Sequence, residues 1–290
     1  MSLTLTPMAT LYSGKVGLSR LFAVTTVIFL FVFSVSFGLW WAVGRSAGAE
    51  GVASSLISNS EVRAGVAEKL VDQVTSDADA DVKKVVDEKR AELIQAVSNA
   101  LADPSIKEEA LKIVDQVYAF YTGETKDANI DVKVLIEPIL KSMSAVDPAF
   151  KVDKVDTNSI KPIQLDETTS KPDISVIKSL LAIVVFGSFL ILVLSIFGVA
   201  KYSRTKNSFV GVIGWEFTVI GILLLAIFFG GTAASQSAAS AANDPLVTSA
   251  VPVVAQTFLG MFRISGVLLL IVGLIGIVTW ARTRKAPQAQ

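Results

Sequence analysis

The sequence predicts a mainly α-helical membrane protein, with a four-helix transmembrane domain and a mostly helical extracytoplasmic domain inserted between its first two spans. Composition, four long apolar runs and an uneven distribution of charge lead to this prediction. Hydrophobic residues make up 52% of the 290 residues, and the mean hydropathy is +0.58. These values are too high for an ordinary soluble domain and are typical of a chain that crosses a membrane.

Four apolar runs are long enough to cross a bilayer. They occupy residues 21–43, 174–200, 209–231 and 264–281. A helix rises about 1.5 Å per residue, so about 20 apolar residues cross a hydrocarbon core of about 30 Å. Because backbone N–H and C=O groups inside the bilayer need partners within the chain, each run is predicted to be a helix.

Basic residues lie at one set of run ends. Segments 1–20, 201–208 and 282–290 contain no Asp or Glu but hold eight basic residues: Lys15, Arg20, Lys201, Arg204, Lys206, Arg282, Arg284 and Lys285. The positive-inside rule therefore places both termini in the cytoplasm. Segment 44–173 has 24 acidic and 16 basic residues, a formal charge of −8, and is expected outside with segment 232–263. The predicted location is the plasma membrane.

The first run could instead be a cleaved signal peptide, because Ala47-Gly48-Ala49 resembles a small-residue cleavage site. The apolar region of this run has about 20 residues or more, whereas the apolar region of a signal peptide has about 7–15 residues. We therefore favour an uncleaved anchor. The absence of Cys excludes both a lipid-modified cysteine anchor and disulfide bonds, so the outer domain must rely on its own apolar core.

Apolar periodicity predicts three helices in the outer domain. Ser58 and Glu61 have the spacing of a capping box. The stripe that follows repeats every four residues: Val62, Val66, Leu70 and Val74. A second helix is predicted over 78–102.

Asp103 and Pro104 are typical of the N-cap and first residue of a third helix, which Gly123 can end.

Less regular patterns follow. Alternation at Ile130, Val132 and Val134 predicts a short strand or extended segment, and Pro138 predicts the start of, or a kink in, a short helix that reaches about Met143. Residues 147–165 are predicted to be extended.

Small residues at 232–242 are predicted to prolong the third membrane helix. Asp244 and Pro245 are predicted to restart a helix that continues into the fourth span and is kinked at Pro252.

Four segments give a resemblance to a known group. They are SLISNSEVRAGVAEKLVDQV, AVSNALADPSIKEEALKIVDQV, VKVLIEPILKSM and NDPLVTSAVPVVAQTFLGMFRISGVLLLIVGLIG, in this order. From about Leu56 onward the chain resembles uncharacterised four-span envelope proteins found mainly in actinobacteria. The chain departs from the group's aromatic and His-containing third helix in having no His. The resemblance implies an outer helical domain between the first two spans and supplies no activity.

The residues that are missing exclude most enzyme classes. Without His or Cys the chain has no Ser-His-Asp triad, no thiol nucleophile and no imidazole-bound zinc. It also lacks the glycine-rich loops that cradle nucleotide phosphates. We therefore expect no enzymatic activity and no cofactor.

One acidic cluster has the spacing of a calcium loop. Asp77, Asp79 and Asp81 stand at positions 1, 3 and 5, and Glu88 stands at position 12 of an EF-hand pattern. Val82 replaces the glycine that makes the sharp turn at position 6. The alternative, which we favour, is that these acids lie in the first turn of a helix, where the helix dipole stabilises them.

Glu216 is the one acidic residue within an apolar run, about 10 Å along the third run from its cytoplasmic end. An ionisable residue at such a position is a functional candidate, here for carrying protons or binding a cation. The structural alternative, which we favour, is a buried partner for Lys201, Arg204 or Arg282, or a side chain that reaches the interface beside Trp215.

Glycines on the third and fourth runs predict that these two helices pack as an antiparallel pair. They are Gly211, Gly214 and Gly221 on the third run and Gly266, Gly273 and Gly276 on the fourth. The same two spans could also contact a protein partner or a second copy of the chain.

We therefore predict a non-enzymatic, multi-pass envelope protein that presents an acidic outer domain for binding or scaffolding. The expected partners are the lipid bilayer and a protein, and the acidic excess argues against nucleic acid. The alternatives are a transporter or channel subunit that uses Glu216, and a sensor that couples the outer domain to a separate partner.

Overall fold

The computed structural model describes residues 7–76, 80–150, 161–166, 174–203, 205–242 and 244–285. These ranges contain α1 (Pro7–Val43), α2 (Ser46–Ser58), α3 (Ser60–Ser76), α4 (Ala80–Leu101), α5 (Pro104–Tyr121), β1 (Ala128–Ile130), α6 (Lys133–Val146), a short 3-10 helix (Pro148–Phe150), β2 (Ile163–Leu165), α7 (Ile174–Tyr202), α8 (Lys206–Ser240) and α9 (Pro245–Lys285). The predicted mainly helical fold is confirmed.

Four of these helices are long and apolar enough to cross a membrane. The qualifying stretches are Gly17–Val43 in α1, Ile174–Tyr202 in α7, Ser208–Ser240 in α8 and Pro245–Thr283 in α9. Each contains one of the four predicted runs, as expected for an integral membrane protein. The helices extend beyond the runs, because α1 already begins at Pro7, and α9 continues through Pro252.

The chain divides into two compact units. The apolar unit comprises Met1–Trp41, Ser179–Gly231 and Leu259–Gln290, and the polar unit comprises Ala42–Lys178 and Thr232–Phe258.

The core of the apolar unit contains buried side chains from all four long helices. They are Leu30 of α1, Leu192 of α7, Ile220 and Leu224 of α8, and Phe262 of α9. In contrast, many large side chains of α7 face outward, including Ile183, Phe186 and Phe197, each with about 70% of its surface exposed. Such an apolar exterior is unfavourable in water and suits a lipid environment.

Glycines bring α8 and α9 together as an antiparallel pair, as predicted. A Cβ atom built on Gly214 would lie 2.8 Å from the backbone N of Ile277 and 2.9 Å from the carbonyl O of Gly273. One built on Gly221 would lie 2.8 Å from the carbonyl O of Gly266. At these positions the two backbones are therefore in direct contact, as is common where small residues face each other in membrane helices.

The polar unit has a separate core formed by α3, α4, α6 and the 3-10 helix. Its buried residues are Ala67, Val71, Val86, Leu93, Val97, Ile139, Met143 and Phe150. The α4 residues lie within the second predicted helix, 78–102. On α3, Val62 of the predicted stripe is buried, but further along the helix Ala67 and Val71 are fully buried whereas the predicted Val66 and Leu70 are partly buried. A small Ala lets the facing helices approach closely, and four-residue spacing alone does not reveal this.

The start of α3 differs from the predicted capping box. Asn59 is the cap, because its Oδ1 accepts hydrogen bonds from the backbone N–H groups of Glu61 and Val62, both at 3.0 Å. Ser58 is instead the last residue of α2, a helix the sequence pattern did not predict. The Oγ of Ser58 accepts a hydrogen bond from Lys107 Nζ at 2.8 Å.

The third predicted helix is confirmed. Asp103 caps α5 and accepts a hydrogen bond from Ser105 N at 2.8 Å, with Pro104 at the first helical position. Beyond the helix end, Gly123 has φ of +74°, a backbone conformation that residues with a Cβ rarely adopt.

The segment after α5 is only briefly extended. β1 pairs antiparallel with β2, so that Ile130 faces Ile163. The predicted alternation ends there, because Val132 precedes α6 and Val134 lies within it. Pro138 lies inside α6, which reaches Val146 rather than Met143. Residues 151–160, within the segment predicted to be extended, lie outside the described residues.

The connection between α8 and α9 belongs to the polar unit. The helical prolongation through 232–240 is confirmed, and Asp244 caps α9 by accepting a hydrogen bond from Leu246 N at 2.9 Å. Asp244 also forms an ion pair with Lys69 of α3. Gly65 lies against Leu246, with a built Cβ 3.2 Å from the Leu246 Cα, so the start of α9 packs on α3.

Candidate functional site

Glu216 is the candidate site residue for which the structure gives the most detail. It lies on α8 within the apolar unit, and 5% of its surface is exposed. Neither Oε1 nor Oε2 has a hydrogen-bond partner among the described residues. Burial of a carboxylate without a partner costs several kcal/mol, so this position calls for a proton, a cation or a bound molecule.

A cavity of about 550 Å³ lies beside Glu216. It is lined by residues of α1, of the α7–α8 connection, of α8 and of α9: Ala23, Val24, Val27, Thr205, Ser208, Gly211, Val212, Trp215, Glu216 and Trp280. Val24 and Trp215 are more than half exposed, which makes the cavity accessible from the side. The volume is within the range of about 300–1,000 Å³ that is common for small-molecule sites.

Two tryptophans shape this cavity. Trp215 precedes Glu216 on α8, and Trp280 comes from α9. Gly211 leaves room for the Trp280 ring, since a Cβ built on Gly211 would lie 2.8 Å from ring atoms Cδ1 and Cγ. The glycine contacts between α8 and α9 therefore also position Trp280 near the carboxyl group.

The cavity lining that the structure describes has few polar groups besides Glu216. Thr205 and Ser208 line it, and the Thr205 Oγ1 accepts a hydrogen bond from the Ser208 backbone N at 3.1 Å, which caps the start of α8. No basic side chain is among the lining residues that the structure describes.

Glu216 forms no ion pair with Lys201 or Arg282, two of its expected basic partners, among the described residues. Lys201 Nζ lies 5.8 Å from the centroid of the Tyr202 ring, and Arg282 is exposed. Neither is among the ion pairs formed within the described ranges, and Arg204 lies outside those ranges. The side chain is buried beside Trp215 rather than exposed at the surface.

Only part of the acidic cluster proposed as a calcium loop lies within the described residues. Asp77 and Asp79 lie outside the described residues. Asp81 lies in the first turn of α4, and Glu88 is exposed further along the same helix. Among the described residues, no three acidic side chains lie close enough together to hold a metal ion. The assignment of this cluster to a helix start or to a calcium loop stays a hypothesis.

Two further cavities lie in the polar unit, where the start of α9 meets α3. One, of about 530 Å³, is lined by Glu61, Glu68, Ile94 and several smaller residues. The other, of about 310 Å³, is lined mainly by aliphatic side chains that include Leu56, Val66 and Leu246. No sequence pattern indicates either cavity, because both depend on contacts between segments far apart in the chain.

The sequence singled out Glu216 and named Trp215 beside it, but it did not indicate the cavity or the residues of α1 and α9 that line it. Only the packing of α9 on α8 brings Trp280 to this cavity. Comparison of the chain with protein-family models, curated proteins and solved structures finds no match, so its function must be inferred from its own residues.

Proposed function

We propose that this chain is a non-enzymatic integral protein of the plasma membrane that presents its polar unit on the outer side for binding or scaffolding. The main support is the distribution of charge. Residues 44–173 have a formal charge of −8. In contrast, the short segments 1–20, 201–208 and 282–290 at the opposite ends of the apolar runs contain basic residues and no Asp or Glu. The resemblance to four-span envelope proteins is in keeping with this arrangement and adds no activity.

The absence of His and Cys supports a role without catalysis, because most nucleophilic, acid–base and metal-assisted mechanisms use one of them. An acidic surface attracts basic or divalent partners and repels polyanions. We therefore expect the polar unit to bind a basic protein surface. A partner or a second copy would contact the spans elsewhere than at the six glycines predicted to join the third and fourth runs, because these six already have close contacts within the chain.

The topology can be tested with single cysteines, because the natural chain has none. Glu108 in α5 is exposed and Arg282 is exposed near the end of α9, so Glu108→Cys and Arg282→Cys serve as reporters. A membrane-impermeant maleimide should label Glu108→Cys in intact cells and Arg282→Cys only after permeabilisation. The reverse pattern would refute the proposed orientation.

The binding role can be tested by crosslinking in intact cells. A triple variant, Asp115→Asn, Asp127→Asn and Glu137→Gln, removes three exposed acids of the polar unit. We expect this variant to lose crosslinks to its protein partner at unchanged abundance, because the attraction to a basic surface is weakened. A control variant, Lys126→Gln with Lys141→Gln, should retain them. Equal crosslinking of both variants, or no crosslinked protein with either, would contradict the proposal.

A second candidate is a transporter or channel subunit, and the unpartnered Glu216 carboxyl group favours it. An acid within a membrane span is a frequent element of ion and proton pathways. Flux of protons or monovalent cations into vesicles that contain the purified chain tests this candidate. Flux that disappears with Glu216→Gln supports it, whereas flux no greater than in protein-free vesicles refutes it.

A further inference from the structure

We propose that the cavity beside Glu216 binds an organic ammonium group, with the Glu216 carboxylate as its counter-ion and the rings of Trp215 and Trp280 as its walls. The inference deepens the second candidate function by naming a ligand class. The inference concerns ligand binding alone and is tested without a transport assay. The binding proposal can therefore fail while the transport proposal stands, and the reverse is also possible.

The first step of the argument is the carboxyl group itself. Both oxygens of Glu216 are buried and lack a hydrogen-bond partner among the described residues, and the side chain is more than nine-tenths buried. A carboxylate accepts hydrogen bonds at both oxygens, and an ammonium group has up to three N–H donors and a full positive charge. An ammonium ligand would therefore satisfy both oxygens and the charge together.

The second step is the aromatic wall. Trp215 and Trp280 both line the cavity, and indole is the best ring for cation–π attraction. A carboxylate beside indole rings selects an organic cation over a small metal ion. Hard metal ions prefer several oxygen ligands, and the described lining offers only Glu216 and the hydroxyl groups of Thr205 and Ser208.

The third step concerns access and size. The cavity of about 550 Å³ exceeds the needs of a lone ion, and the exposure of Val24 and Trp215 leaves one side accessible from outside the helices. An amphiphile can thus place its ammonium group at Glu216 while its apolar part remains outside. Two sources fit this chemistry, namely the head group of an aminophospholipid and a water-soluble alkylamine.

Protection from chemical modification tests the proposal on the natural, full-length chain. A hydrophobic carbodiimide adds to membrane-embedded carboxyl groups, and Glu216 is the one acid within the apolar runs. Mass spectrometry follows the loss of the unmodified Glu216 peptide in maltoside micelles. This loss gives the total labelling rate, because it includes both the carbodiimide adduct and any amide that forms when an amine attacks the activated carboxyl group. When dodecylammonium is raised to ten times its Kd, about a tenth of the sites stay free and labelling should slow about tenfold. Dodecanol, which has no charge, should not slow it.

Two further arms distinguish the sources. Slow labelling in phosphatidylethanolamine nanodiscs, relative to phosphatidylglycerol nanodiscs, identifies the lipid head group. Slowing that requires added ethylammonium in phosphatidylglycerol nanodiscs identifies a water-soluble amine. Labelling of Glu216 at one rate in every arm overturns the proposal. The proposal also fails if labelling increases at low pH but no amine slows it, because Glu216 then binds only a proton.

Native mass spectrometry provides a second measurement that does not depend on the reactivity of Glu216. The natural chain should retain one dodecylammonium, and Glu216→Gln, which keeps the shape of the side chain, should retain at least about tenfold less, as expected for loss of a charged hydrogen-bond partner. Ser188→Ala is the matched control, because Ser188 is a buried polar residue of α7 outside the cavity lining. Equal retention by the natural chain and Glu216→Gln would overturn the proposal.

Discussion

The contact between α8 and α9 gives the sharpest test of the fold, with Gly214→Ala as the perturbation. The new Cβ would lie 2.8 Å from Ile277 N and 2.9 Å from Gly273 O, whereas ordinary contacts begin at 3.4 Å. The helices would have to separate by about 0.6 Å, and both atoms belong to backbone that cannot rotate away. Such overpacking typically costs about 1–3 kcal/mol.

Gly230→Ala is the matched control for this perturbation. Gly230 lies on the same helix, and a Cβ built there meets nothing within 4 Å. Both substitutions gain the same helix propensity, about 0.5–1 kcal/mol. The difference between the two variants therefore isolates the cost of overpacking, and Gly214→Ala should be less stable than Gly230→Ala by about 1–3 kcal/mol.

Reversible unfolding of the full chain measures this difference. Sodium dodecyl sulfate is titrated into maltoside micelles, and helix content is followed by circular dichroism. Unfolding free energies of the two variants that agree within about 0.5 kcal/mol would refute direct backbone contact at Gly214. Gly187→Ala on α7, another position with open space around its Cβ, should behave like Gly230→Ala.

Three further predictions concern the polar unit. Leu93→Ala should lower the free energy of unfolding by about 2–5 kcal/mol, because Leu93 is fully buried. Ile163→Ala, at a half-exposed position, should lower the free energy of unfolding far less. Comparable losses in the two variants would contradict the assigned core. Arg90→Gln should destabilise by about 1 kcal/mol at neutral pH. The hydrogen bond from the Arg90 guanidinium lowers the pKa of Asp72 from its ordinary 3.8, so this stabilisation is present above pH 3.8 and is lost as the pH falls through the lower folded value. A difference between Arg90→Gln and the natural chain that persists in stronger acid would refute this. Finally, millimolar calcium should leave the melting temperature unchanged, because Glu88 lies within α4 and the described acidic side chains form no group of three that could hold a metal ion. A clear rise would favour the calcium loop.

Local chemistry explains why much of the secondary structure could be predicted. Asp103 followed by Pro104, and Asp244 followed by Pro245, start helices because the acid side chain accepts backbone hydrogen bonds within two or three residues. The prediction at Ser58 and Glu61 is wrong because Asn59, next to them, makes the same bonds and ends α2 as well. Two competing caps one residue apart cannot be ranked from spacing alone.

By itself, the sequence determined the four apolar helices, the glycine positions that favour close approach of two of them, and the isolation of Glu216 among apolar neighbours. These features depend on composition and on spacing along one helix, which physical chemistry converts directly into structure. The tertiary structure alone decided that Gly211 makes room for Trp280 beside Glu216, that Lys69 meets Asp244, and that Ala67 and Val71 rather than Val66 and Leu70 are fully buried. The physical reason is that these contacts join segments far apart in the chain, and only the packing of whole helices selects them.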